Sequence, residues 1–176
     1  MAYKEIVTKA IIAKGKKKYQ NQYQISVNEK PSTILGCWII NHNFEAKEEK
    51  NKIVINGSFD ANIWYSYDND TKTTVATQKI NYQEIEQLFT PNQNIANKDI
   101  IVRSLKQPTC ISAKEDENKI NLQIEKELGI EIVGDTKVKI PSVEDEEDIW
   151  TDLSKEEEEK TIDKINPNYI EEPQQN

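Results

Sequence analysis

With a single histidine, His42, and only two cysteines, Cys37 and Cys110, the chain has little of the equipment of nucleophilic or metal chemistry. A Ser-His-Asp or Cys-His pair would have to use His42, which follows Asn41 in an apolar run and reads as a structural, hydrogen-bonding imidazole. No Cys-x-x-Cys is present, so neither a metal site nor a metal cofactor is expected. The five glycines (Gly15, Gly36, Gly57, Gly129 and Gly134) are isolated, which excludes a glycine-rich phosphate loop. Asp68-Asn69-Asp70 lacks the ligand count of a calcium loop and reads as a turn. No apolar run approaches the ~18 residues needed to span a bilayer, and the first residues carry no signal-peptide apolar stretch. The expectation is a non-enzymatic protein without cofactor or membrane span, retained in the cytoplasm that made it. In that compartment two distant cysteines read as reduced, small core residues.

Charge is abundant but segregated. The 176 residues carry a formal net charge of -8. Residues 144–176 hold 13 Asp and Glu against 3 Lys, a net of -10, which leaves residues 1–143 at +2. The acidity belongs to the tail, and the rest of the chain is near neutral. Nucleic acid is therefore not an expected partner, because phosphate binding needs an uncompensated basic surface. The domains expected are a β-rich body, 1–143, and an acidic flexible tail, 144–176.

The body repeats a period of two. Tyr19, Tyr23, Ile25 and Val27 alternate with Gln20, Gln22, Gln24 and Ser26, as in a half-buried strand. Residues 53–67 place Ile53, Ile55, Gly57, Phe59, Ala61, Ile63, Tyr65 and Tyr67 on one face, and Gly57 is expected to mark a bend or bulge in so long a run. Residues 120–132 repeat the pattern, with Lys126 interrupting an isoleucine and leucine face. Shorter strands are expected over 5–13, 38–43, 71–80, 100–105, 109–114 and 137–140. Turns are expected at Lys14-Gly15-Lys16, Asp68-Asn69-Asp70, Glu115-Asp116-Glu117-Asn118 and Gly134-Asp135. Residues 83–89 read as a helical turn or an irregular crossing. The fold class expected is all-β, an antiparallel sandwich or small barrel.

Beyond Pro141 like charges repel and the composition is that of a largely disordered tail. It allows at most one short helix, over 155–165, with Ser154 and Glu157 at capping-box spacing and Asn166-Pro167 as its stop. Trp150, Leu153, Ile165, Pro167, Tyr169 and Ile170 are sparse anchors in acidic sequence, the pattern of a segment that orders on a partner.

In the body, Trp38, Trp64, Tyr65 and Tyr67 hold much of the aromatic surface. Parity assigns Tyr65 and Tyr67 to the apolar face of 53–67 and sends Trp64 outward, on the side of Val54 and Asn62. Exposed aromatics are good interface anchors, so Trp38, Trp64 and the neighbouring His42 are candidate self-assembly residues. Lys16, Lys17 and Lys18 join them as a basic cluster, either a solvated hairpin tip or an attractor for an acidic tail.

Several blocks in order along the chain carry a family resemblance. Pro31-Ser32-Thr33-Ile34-Leu35-Gly36-Cys37-Trp38-Ile39-Ile40-Asn41-His42 is the first, followed by Phe59-Asp60-Ala61-Asn62-Ile63-Trp64-Tyr65-Ser66-Tyr67 with Thr71-Lys72-Thr73. Gln107-Pro108-Thr109-Cys110, Val133-Gly134-Asp135-Thr136-Lys137-Val138 and Ile165-Asn166-Pro167-Asn168-Tyr169-Ile170 complete the series. Together they resemble the spore outer-coat morphogenetic family (CotE). The resemblance implies a structural scaffold made in the mother-cell cytoplasm and carried into the spore outer coat. It would associate with itself, dock on a spore basement-layer protein and recruit other outer-coat proteins; the chain's own pattern suggests that 1–143 assembles and that the tail, 144–176, recruits. Two departures stand out. Cys37 occupies a place where a small residue such as glycine is expected, and reads as packing or as a thiol for cross-linking the coat. Lys155, Lys160 and Lys164 dilute the tail's acidity. The alternative function is a carbohydrate-binding β-sandwich of the spore surface, with Trp38, Trp64 and Tyr67 as stacking platforms.

Overall fold

The computed structural model describes residues 2–87 and 95–142. Six strands follow one another: β1 (Ala2–Ser26), β2 (Pro31–Glu49), β3 (Lys52–Tyr67), β4 (Lys72–Glu86), β5 (Asp99–Asp116) and β6 (Lys119–Ser142). They form two antiparallel three-stranded sheets, ordered β1-β6-β5 and β2-β3-β4. Residues 7–138 make one compact unit, and the outer ends of β1 and β6 belong to a second.

Alternation makes each sheet two-faced, and the inner faces bury each other. Ile25 of β1, Phe59, Ala61, Ile63 and Tyr65 of β3, Ile80 and Tyr82 of β4, and Ile120, Leu122 and Ile124 of β6 form one core cluster. Tyr19, Ile53, Ile55, Leu128, Ile130 and Ile132 form a second. Burying a side chain of this size contributes roughly 1.5–3 kcal/mol, so two clusters drawn from both sheets are what fastens the sandwich. Between them, on β3 and β6, lie Gly57 and Lys126.

Hairpin chemistry sets the register. Lys50 and Asn51 both take positive φ (50° and 63°) between Glu49 and its partner Lys52, the twist that a two-residue hairpin requires. Asp68, Asn69 and Asp70 do the same between β3 and β4. The Thr71 amide and hydroxyl both donate to the Asp68 carbonyl oxygen, at 3.2 and 2.6 Å. Glu117 (φ 53°) turns β5 into β6.

The strands are fewer and longer than the sequence suggests. Lys14-Gly15-Lys16 is no turn: β1 runs straight through it, with Ala13 and Tyr19 packed inward and Lys14, Lys16 and Lys18 turned out. Gly134-Asp135 is no turn either. A Cβ at Gly134 would lie 2.2 Å from Ile95 Cγ2 and 2.7 Å from Ile12 Cδ1, so this glycine serves close approach inside β6. The segments 100–105 and 109–114 are one strand with register shifts around Lys106 and Pro108. Residues 83–86 finish β4 instead of starting a helical turn.

The bulge expected at Gly57 sits on the neighbouring strand. The pairing of β3 with β4 is continuous from Ile53 to Tyr67. On β2 two residues, Asn41 and His42, stand between the pairs Ile40↔Asp60 and Asn43↔Ser58, and Asn41 takes φ 55°. Asparagine tolerates that conformation, and its amide is held by the Asp60 carboxylate at 2.8 Å.

Candidate functional site

The outer face of β2-β3-β4 carries a bare aromatic pair. Gly36 is paired with Trp64, and Trp38 with Asn62, which puts both indoles on one face. The Trp38 ring lies over Gly36, where a Cβ would come within 2.8 Å of it. The absent side chain lets the rings stack, with centroids 6.4 Å apart and planes inclined by 25°. Trp38 remains 52% exposed and Trp64 41%. Ile40 and Val75, exposed on the same face, extend the patch. The outward placement of Trp64 follows the sequence parity. Val54, on the same side, is buried, with Lys47 and Ile85 as its cross-strand partners. Tyr67 lies on the opposite face of β3 and packs against the core.

The outer face of β1-β6-β5 is its counterpart in charge. Lys14 meets Glu131 (3.3 Å), Lys16 meets Glu127 (3.6 Å) and Lys18 meets Glu125 (3.6 Å). From β5, Arg103 reaches Glu131 (3.5 Å) and Lys106 reaches Glu125. Lys17 points the other way and bonds Glu86 at 2.6 Å. The basic cluster is therefore no hairpin tip: it is one rail of a mid-strand ladder whose second rail is glutamate. Lys106 first, and the Gln20 amide next, hold the Glu125 carboxyl down at about 2.

A polar waist crosses the core between the clusters. The Lys126 side chain is 1% exposed; its ammonium donates to Glu84 at 2.7 Å and lies 4.1 Å from the Tyr82 ring centroid and 4.9 Å from that of Tyr19. Gly57 makes room for Tyr82, whose Cζ would be 2.2 Å from an added Cβ. The Tyr82 hydroxyl donates to His42 Nε2 at 2.6 Å, and His42 Nδ1 faces Gln107 Oε1 at 3.1 Å. Both bonds are satisfied by the neutral imidazole protonated on Nδ1. Burial lowers the His42 pKa, opposed by the Gln107 bond and reinforced by the Lys126 charge. Burial and the Glu84 charge push the Tyr82 hydroxyl up to about 12, so it stays a donor. His42 is thus an inward, hydrogen-bonded group, placed apart from the exposed tryptophans.

The description "outer spore coat protein E (CotE)" matches residues 2–172. The chain belongs to that family. It is therefore a protein of the spore outer coat, from a structural coat family. No curated protein and no solved structure matched. The family match reaches into the tail, where Trp150, Leu153, Ile165, Pro167, Tyr169 and Ile170 lie outside the described residues, as does the expected 155–165 helix.

Two features of this coat-family chain escaped the sequence reading. Tyr82 and Glu84 fell beyond the strand expected over 71–80, Glu84 within the helical turn or crossing expected over 83–89, although Ile80, Tyr82, Glu84 and Glu86 alternate in step with the strand. The second is the meeting of Cys37 and Cys110. Both thiols are free and half-buried against the same core cluster, one from each sheet. Only the packing of edge strands β2 and β5, from different sheets, against each other brings them together, and no local pattern encodes it.

Proposed function

We propose that this outer-coat protein is a self-assembling scaffold that builds coat structure through its β domain, docks on a basement-layer protein and recruits other outer-coat proteins through its acidic tail. The contrast between its two outer faces carries the reading. One face is a neutralised ladder of ion pairs, and the other presents two stacked, half-exposed tryptophans flanked by Ile40 and Val75. Aromatic side chains at the centre of an apolar patch are the usual anchors of protein interfaces. Topological edge strands β1 and β4 offer a second route to assembly by strand addition. In a repeating shell, many weak tail contacts add up to avidity.

The reading fits a structural protein better than a glycan-binding module, because Tyr67 is not on the tryptophan face. It also assigns the lysine ladder to the protein's own stability ahead of self-association. Light scattering and electron microscopy on the full chain, at low and moderate salt, test it. Regular large assemblies, retained at moderate salt and lost in Trp38→Ala and Trp64→Ala, are expected. A monodisperse monomer of the full chain in both conditions would remove self-assembly as its intrinsic activity. Truncation after residue 143 should leave assembly intact and abolish client binding.

A further inference from the structure

We infer that Cys37 and Cys110 are a built-in dithiol that closes to an intramolecular disulfide, clamping the two sheets of the sandwich together once the chain meets a disulfide oxidant. Cys37 lies on edge strand β2 and Cys110 on edge strand β5, in different sheets. Their cross-strand partners within the sheets, Ile63 and Ile124, are fully buried in one core cluster. A few residues further along the same seam, His42 Nδ1 bonds Gln107 Oε1 at 3.1 Å. That second contact between β2 and β5 fixes the alignment of the strands independently of the cysteines. Both cysteines pack against that cluster from strands that lie against each other, and Cys110 donates to the Ser112 carbonyl oxygen at 3.4 Å. Both are half-buried, so a small reagent has access while a second protein chain has little.

The contact divides the labour. Interaction between the two thiols lowers the Cys110 pKa and raises that of Cys37. The thiolate is the nucleophile in disulfide exchange. Cys110 attacks one sulfur of an oxidised low-molecular-weight thiol, forming a mixed disulfide and expelling the first reduced thiol. Cys37 then loses its proton and attacks Cys110 Sγ, expelling the second. The protein gives up two electrons and two protons, and one reagent disulfide becomes two thiols. A reducing compartment holds the pair open, whereas the outside of a spore does not. The closed clamp ties strands about 70 residues apart in sequence, a loop long enough for a cross-link to constrain the unfolded chain strongly.

The test uses the full chain, reduced, freed of reductant and treated with oxidised glutathione at mildly alkaline pH. Expected is an intact mass lighter by two hydrogens, with no glutathione retained and a Cys37–Cys110 peptide in a non-reduced digest. The thermal midpoint should rise by about 10 °C on oxidation. In Cys37→Ser, glutathione should stay on Cys110. Glutathione held stably by the wild-type chain, disulfide-linked dimers, unreacted thiols, or Cys37→Ser without an adduct would each overturn the inference.

Discussion

The ammonium of Lys126 lies 2.7 Å from the Glu84 carboxylate between the two apolar clusters of the sandwich. Their burial is unequal: the lysine side chain is 1% exposed and the glutamate 13%. The two partners should therefore respond differently to mutation. Glu84→Gln leaves a buried charge without its counter-ion and should cost about 3 kcal/mol. Lys126→Met removes that charge, keeps the volume and leaves Glu84 able to reach water; it should cost about 1 kcal/mol or less. Urea denaturation of the two variants gives the comparison, and equal losses would contradict the asymmetry.

Gly57 and Tyr82 are cross-strand partners, and the ring occupies the space a side chain would take. Gly57→Ala should push Tyr82 off its site and destabilise by about 2 kcal/mol, since the ring cannot shift without breaking its bond to His42. In a Tyr82→Ala background the same substitution should be nearly neutral. This double-mutant cycle reads the contact directly, and additive losses would show that Gly57 acts through backbone freedom alone.

The alternation of apolar residues made the all-β class, the core of β3 and β6 and the outward Trp64 legible, because a strand's period of two fixes which residues share a face. Even Lys126 stood in step with its apolar neighbours. Its burial was not legible, because Glu84, Tyr82 and Tyr19 come from strands far away in sequence. Glycine misled in the same way. Gly15 and Gly134 look like turn signals, yet one lies in mid-strand and the other gives way to Ile12 and Ile95. A glycine's local freedom is visible in sequence, whereas a neighbour crossing over it is not. The bulge at Asn41 and the meeting of Cys37 with Cys110 depend on inter-strand register and stayed hidden for that reason.

His42 is the sole histidine, so its titration can be followed without assignment by NMR. Its folded pKa lies below the ordinary 6.5. The unfolded chain therefore binds the proton more readily. The contribution to stability is intact above pH 6.5 and is lost as pH falls from there through the lower folded value. Tyr82→Phe removes the hydroxyl that donates to Nε2 and favours the neutral ring, so it should raise the His42 pKa and shrink this loss. An unchanged titration in Tyr82→Phe would mean that burial, the Gln107 bond and the Lys126 charge set the value without the Tyr82 hydroxyl.

Glu125 responds at lower pH. With its folded pKa held down at about 2 from 4.5, chiefly by Lys106, its ion pair stabilises the fold above pH 4.5 and loses that effect as pH falls toward 2. Lys106→Ala should therefore be less stable than the parent at neutral pH, with the difference closing near pH 2. The same variant separates the two outer faces. If assembly runs through Trp38 and Trp64, then Lys106→Ala and Lys18→Ala, which only thin the ladder, should change the fold's stability slightly and leave particle size at moderate salt as in the parent. Trp38→Ala should do the reverse: a stability change within about 1 kcal/mol, since the ring is half in water already, and loss of the large particles. Paired denaturation and light-scattering measurements on these variants distinguish the cases, and assembly that fails with the lysines instead of the tryptophans would move the contact surface to the charged sheet.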